Sequence, residues 1–210
     1  MKIYSVLLFF IATGVSCTHS QTDEIQNVQL IGGPCEGCEA IFEYGDRLLK
    51  NTATLPGYDE AAQKLKISGT IYQPGGKLPA KDVVLYIYHT DQNGIYANKY
   101  NRKNWERRHG YRRGWIKTDD DGRYTFFTSK PGIYPNRAVA AHIHPTLLEP
   151  NGNYYYVEDY YFSDDSLLTE KELNPVAPRG GTPGVLSLKK DGEVYVAERD
   201  FILGKNVGGN

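Results

Sequence analysis

Cysteine is scarce in this chain, with 3 residues among 210. One of them, Cys17, closes an apolar leader. The other two, Cys35 and Cys38, are too few for a four-ligand zinc site, and no neighbouring histidine completes the set. Excess charge of either sign is missing as well: 24 Lys and Arg against 25 Asp and Glu leave a formal net charge of −1. That balance argues against a nucleic-acid partner, and no long basic run offsets it. Basic residues gather only locally, in Arg102-Lys103 and from Arg107 to Arg113. The second cluster reads as a solvated loop or, alternatively, as a loop that guides an anionic substrate. Internal repeats and low-complexity tracts are absent, which excludes repeat architectures. What remains is one domain with a tail, long enough to bury a core.

The N-terminus reads as a targeting segment. Met1-Lys2 supplies the positive start, and Ile3 to Val15 is mostly apolar but too short for a convincing membrane span. Val15-Ser16-Cys17 sets small residues before a cysteine and resembles a bacterial lipoprotein signal, although Gly14 stands where leucine is usual. Residues 1–17 are therefore expected to be a signal peptide with a lipobox-like cysteine. Cys17 would carry the lipid, and the exported protein would be held at a bacterial membrane, on its periplasmic or cell-surface side, through that anchor alone. An ordinary secretory signal cut nearby is the alternative. In an oxidising compartment Cys35 and Cys38 favour a small local disulfide. A thioredoxin-like redox pair is the other reading, without the βαβ pattern that would surround it.

Residues 18–64 read as a polar tether followed by an N-terminal arm that carries the two cysteines. Glu39 to Lys50 suits a short helix or an extended arm, and Thr52 to Ala61 a loop turning at Pro56-Gly57. From Leu65 the pattern changes. Leu65, Ile67, Gly69 and Ile71 alternate with polar residues as in a half-buried strand, and Val83 to His89 is β-branched and aromatic like a central one. Arg123 to Thr128, Ala138 to His144 and Tyr154 to Phe162 continue the series. Leu186 to Lys189 and Val194 to Leu203 form a closing hairpin around Lys190-Asp191-Gly192-Glu193, and Thr169 starts a helical turn before it. Short strands at regular spacing predict an all-β fold: a β-sandwich of mainly antiparallel strands over residues 65–204, with a short N-terminal arm and a tail at 205–210.

The chemistry concentrates in tyrosine and histidine. Pro131-Gly132-Ile133-Tyr134-Pro135 is followed by His142-Ile143-His144, and Tyr96 follows the turn Asp91-Gln92-Asn93-Gly94. In a strand, residues i and i+2 share a face, so His142 and His144 can converge while Ile143 packs on the other side. Phenolate oxygen is a hard anionic donor that stabilises a trivalent ion, and neutral imidazole suits iron without reducing it. Two phenols and two imidazoles thus read as ligands for ferric iron, Fe(III). Against this stand 17 tyrosines, of which any one is more often packing than ligand, and Tyr100 competes with Tyr96. His89 reads as a satisfied structural histidine, and His109 falls in the charged loop.

Thr118 to Thr128, then Lys130-Pro131-Gly132-Ile133-Tyr134-Pro135-Asn136-Arg137, then Ala141-His142-Ile143-His144, resemble the intradiol ring-cleavage dioxygenases, the ortho-cleaving enzymes of catechol and protocatechuate. Tyr160 to Asp165 and Arg199 to Leu203 extend the resemblance over most of Leu65 to Gly204. It implies Fe(III) held by Tyr96, Tyr134, His142 and His144, with a catechol-type small molecule and O2 as substrates. It also implies that Tyr134 leaves the metal to take a substrate proton, and that the ring opens between its hydroxyls to a muconate-type diacid. Arg137 is the expected catalytic cation, and Tyr88, Arg113 and Tyr161 the expected substrate-binding residues. A homo-oligomer is allowed for. One departure stands out: where the family carries an arginine three residues before the first histidine, this chain has Val139. Arg112, Arg113 or Arg123 are the other candidates for that charge. The competing reading is an exported β-sandwich binding module that keeps the metal-site scaffold and lacks turnover.

Overall fold

The computed structural model describes residues 28–99 and 103–208. The leader with Cys17, and Tyr100, lie outside the described residues. In chain order the strands are β1 (Gln29–Leu30), β2 (Thr52–Thr54), β3 (Lys64–Tyr72), β4 (Val84–His89), β5 (Arg113–Lys117), β6 (Arg123–Ser129) and β7 (His142–Leu148). They continue with β8 (Asn153–Tyr156), β9 (Tyr160–Phe162), β10 (Val185–Leu186), β11 (Lys189–Asp191), β12 (Val194–Glu198) and β13 (Phe201–Ile202). One sheet runs β1-β8-β7-β4-β5, with β9 on β7 and β10 on β9; the other runs β11-β12-β3-β6-β2, with β13 on β3. The long ladders β3–β6, β4–β7 and β4–β5 are antiparallel, and parallel pairing is confined to the additions β1, β2, β10, β12 and β13.

Period-two alternation explains the layers. Leu65, Ile67, Ile71 and Phe126 from one sheet meet Leu85, Ile87, Ile143 and Leu147 from the other in the main core. Burying each such side chain contributes about 1.5–3 kcal/mol. The alternate residues of the β4–β7 sheet face outward, and there the arm closes over one end. A 3-10 helix at Cys38–Phe42 lays Cys38, Ala40 and Ile41 on Val84, Tyr86, Trp115 and Leu148. The Trp115 indole N–H donates to the Ala40 carbonyl at 3.1 Å. Cys35 and Cys38 are joined by a disulfide at the head of this arm. The packed body reaches past residues 65–204, since Leu55 and Val207 belong to the main core.

Several expected boundaries shift for physical reasons. Thr52–Thr54 is a strand rather than loop because β6 offers it an open edge. The Arg107–Arg113 stretch is not a solvated loop: it holds a helical turn, α1 (Glu106–His109), buries His109, and starts β5. The expected strand Ala138 to His144 begins only at His142, since the Ala141 N–H is taken by the Asp165 carboxylate at 2.8 Å. Thr169 does cap a short helix, α2 (Glu170–Leu173). The closing hairpin pairs only β11 with β12; β12 and then β13 lie parallel to successive parts of β3.

The expected strand Tyr154 to Phe162 breaks into β8 and β9 with Val157, Glu158 and Asp159 between them. Pro145 in the middle of β7 accounts for the break. Its carbonyl accepts from the Val157 N–H at 3.3 Å, so its nitrogen faces the same neighbour, and proline has no N–H to give. The ladder loses a rung there, and the neighbouring chain leaves the sheet beside His144.

Candidate metal centre

His142 and His144 lie on the outward face of β7, and Tyr88 of β4 pairs with His144 in the same face. The phenols arrive on two loops zipped backbone to backbone. Asp91 accepts from the N–H groups of Asn93 and Ile95 at 2.8 and 3.0 Å, which fixes the turn before Tyr96. The Gly132 N–H then donates to the Asp91 carbonyl at 2.8 Å. At Gly94, with φ +75°, a Cβ would stand 1.7 Å from the Ile133 carbonyl oxygen, so only glycine permits the approach that brings Tyr134 beside Tyr96.

Four donor atoms crowd to one point. The hydroxyls of Tyr96 and Tyr134 are 2.5 Å apart, and the Tyr96 oxygen is 3.0 Å from Nε2 of His144. The Tyr134 oxygen is 3.3 Å from Nε2 of His142 and 3.5 Å from Nε2 of His144. The far ring nitrogens are occupied: Nδ1 of His142 meets the Ala140 carbonyl at 2.7 Å, and Nδ1 of His144 meets Oδ1 of Asp159 at 3.0 Å. A carbonyl only accepts, so Nδ1 of His142 carries the proton. Burial works to raise the Asp159 carboxyl, but His144, His142 and Arg199 outweigh it and hold it below its ordinary range. An ionised Asp159 likewise places the His144 proton on Nδ1. Both Nε2 lone pairs therefore face the phenols.

This donor set fits ferric iron, with two hard phenolic oxygens and two imidazole lone pairs converging from fixed rings. Burial drives the Tyr96 phenol well up, reinforced by its bond to Tyr134. Burial also raises Tyr134, with the bond from Tyr96 and, more weakly, the Arg137 guanidinium pulling the other way. Burial lowers His142 and keeps it neutral, as a ligand must be. Metal uptake here has to displace two phenolic protons. His142, His144 and Asp159 also bring ligand atoms within 4.8 Å of one another, but the imidazole of His144 stands between Asp159 and the phenols.

Of the remaining expected residues, the structure gathers some and not others. Tyr88 stacks on His144 at 4.7 Å, and the Tyr161 ring lies 5.7 Å from that of His142. The exposed Arg137 sets its guanidinium 5.9 Å above the Tyr134 ring. Arg113 is engaged elsewhere, paired with Glu43, 4.0 Å from Glu106 and 5.1 Å above the Trp115 ring. Arg112 donates to the Gly57 carbonyl and the Ser129 hydroxyl, and Arg123 pairs with Asp121 in solvent. Val139 is 38% exposed, so nothing at that position replaces the missing charge. His89 is structural as expected, bonded to the Thr90 carbonyl and the Thr128 hydroxyl at 2.7 and 2.6 Å. The sequence reading missed Asp159, and His109, which stacks 3.6 Å from Tyr88 and binds the Tyr86 hydroxyl at 2.9 Å. Pro145 within an otherwise regular strand was the available signal for Asp159. For His109, nothing local marked burial.

Residues 41–179 match the family model described as a dioxygenase, which is more than half of the chain. The protocatechuate 3,4-dioxygenase beta chain of Burkholderia cepacia is 26% identical over 184 residues, spanning 81% of this chain and 76% of that one. Among solved structures, one that superposes is the dioxygenase domain of a dioxygenase and carbohydrate-binding protein fusion from Streptomyces sp. SirexAA-E. Its TM-score is 0.55 at 21% identity, over 81% of this chain and 95% of that one. The intradiol ring-cleavage dioxygenase of Tetranychus urticae gives 0.53 at 17% identity, over 78% and 90%. At those identities the two structures speak for the fold alone.

Proposed function

This chain belongs to the intradiol dioxygenase family, and from that premise we propose that it opens a catechol-type ring between its two hydroxyls, using O2 and Fe(III). Tyr96, Tyr134, His142 and His144 would hold the iron. The observation that carries the reading is the meeting of two phenol oxygens and two Nε2 atoms at 2.5 to 3.5 Å. When bound, ferric iron would supply a Lewis acid for a deprotonated catechol. The protein's share is proton handling and orientation. Tyr134 is the better placed proton acceptor: it sits in the open Ile133–Val139 segment and holds its imidazoles at 3.3 and 3.5 Å, whereas Tyr96 is bound to His144 at 3.0 Å. The Arg137 cation favours the phenolate that such a transfer requires. Tyr88 and Tyr161, against the two histidine rings, offer aromatic walls for the substrate.

The test is metal content, the visible spectrum and oxygen uptake with catechol, on the wild type and on Tyr134→Phe. A near-stoichiometric iron protein with a tyrosinate-to-iron band that shifts on anaerobic catechol addition, and that takes up oxygen, supports the reading. Tyr134→Phe should keep the fold and change both colour and turnover. A second reading, a catechol-binding module without turnover, is favoured by the exposed Val139 where the family has its arginine. It predicts the shifted band with no oxygen uptake. Losing one preorganised electrostatic donor costs roughly 10²–10³ in rate elsewhere, so the first reading expects slow but measurable oxygen uptake. Action outside the cytoplasm, with Cys17 lipidated, is part of the proposal. The Cys35–Cys38 disulfide supports an oxidising compartment. Cys17→Ser should release the protein from the membrane fraction.

A further inference from the structure

The two candidate histidine ligands are not equivalent. His142 leans on a neutral backbone carbonyl, Ala140, at 2.7 Å, whereas His144 leans on a carboxylate, Asp159, at 3.0 Å. We infer that Asp159 is a positioning residue for the iron site: it holds the His144 proton on Nδ1 and aims Nε2 at Tyr96. This rests on the iron-centred reading above and goes beyond it. Asp159 is not itself a ligand in this arrangement, because its oxygen meets the ring nitrogen that faces away from the phenols.

Three independent devices put the carboxylate there. Pro145 deprives β7 of one rung, so the chain between β8 and β9 leaves the sheet opposite His144. Arg199, 4% exposed, then clamps that excursion from behind. Its guanidinium donates to the carbonyls of Glu158 at 2.6 Å and Asp159 at 3.3 Å, and to Thr182 at 3.1 Å. Gly184 closes the third side, since a Cβ there would fall 2.0 Å from the Asp159 carbonyl oxygen. A buried arginine spent on backbone carbonyls, a glycine that cannot grow and a proline in a central strand all serve one loop of three residues. Carboxylates behind metal-bound imidazoles fix the tautomer and raise donor strength, and their loss typically costs about 10–100-fold in metal affinity.

The experiment compares the full chain with Asp159→Ala and Asp159→Asn, the second nearly isosteric so that one variant retains the packing. In metal-free, 15N-histidine-labelled protein, long-range proton–nitrogen spectra read the His144 tautomer, with its signals assigned from His144→Gln. Fe(III) affinity is then measured by chelator competition, and the tyrosinate-to-iron band by absorbance. The expected result is a single Nδ1–H tautomer in the wild type and a mixture in both variants. Iron affinity should fall about 10–100-fold in Asp159→Ala and less in Asp159→Asn, with a shifted band in each. An unchanged tautomer with affinity within about twofold of wild type in both variants would overturn the inference. A protein that passes these tests yet never opens a ring would refute the dioxygenase reading and leave Asp159's role intact. Ring cleavage indifferent to Asp159 would do the reverse.

Discussion

The outward face of the β4–β7 sheet has two ends with opposite fates. At one end Val84 pairs with Leu148, and the arm residues Cys38, Ala40 and Ile41 cover them. At the other end Tyr88 pairs with His144, and two loops bring phenols instead of an apolar lid. Strands β4 and β7 are continuous through both. Apart from the rung lost at Pro145, what distinguishes the ends is the covering segment. Where apolar residues arrive, the face becomes a second small core with the Trp115 N–H satisfied by the arm. Where tyrosines arrive, four polar donor atoms are desolvated together, an arrangement that costs stability unless protons or a cation hold it. The aromatic stack Tyr86, Tyr88 and His109 joins the two ends, with His109 at 3.6 Å from Tyr88.

The largest contrast comes from breaking each end separately. His144→Ala should lower Fe(III) affinity by more than the roughly 10–100-fold that an outer partner costs, with little change in melting temperature. Leu148→Ala, at the covered end, should instead cost about 2–5 kcal/mol of stability in denaturant titration and leave the iron spectrum alone. A loss of iron in the second variant would show that the two ends are one cooperative unit. Replacing both Cys35 and Cys38 by Ser should cost about 2 kcal/mol on the chain-entropy estimate for so short a loop, read as a shift in denaturation midpoint.

A further effect is one of pH. Burial lowers His89 to about 4 and His109 to about 3. Both fold as neutral rings, while in the unfolded chain they titrate near 6.5. The unfolded state therefore binds more protons below about 6.5, and stability present above that pH falls as pH drops toward 4. Each group contributes a slope of up to about 1.4 kcal/mol per pH unit in that window. His89→Gln should flatten thermal stability against pH there without moving the iron site, since His89 points into the main core and not toward the phenols.

Legibility from sequence differed between the layers in the same way. Strands β3 and β6 were readable because each alternates over enough residues for period two to show, β4 because it is β-branched and aromatic, and the i, i+2 rule placed His142 and His144 together. The strand β2 was not, because three residues carry no period and an open edge of β6 decides them. The split between β8 and β9 was hidden because Tyr154 to Phe162 is locally a good strand, and the missing rung belongs to Pro145 on its neighbour. Arg113 looked free in sequence because its partner Glu43 lies 70 residues away.

By itself, then, the amino-acid order determined the class of fold, the pair of histidines on one face, and the residue types that suit ferric iron. Those follow from local alternation and side-chain chemistry, which act over a few residues. Only the tertiary structure decided which arginines are spent elsewhere, and that Asp159 stands behind His144. Such choices depend on contacts between segments distant in sequence, and no local pattern encodes where the ends of a loop will be brought together.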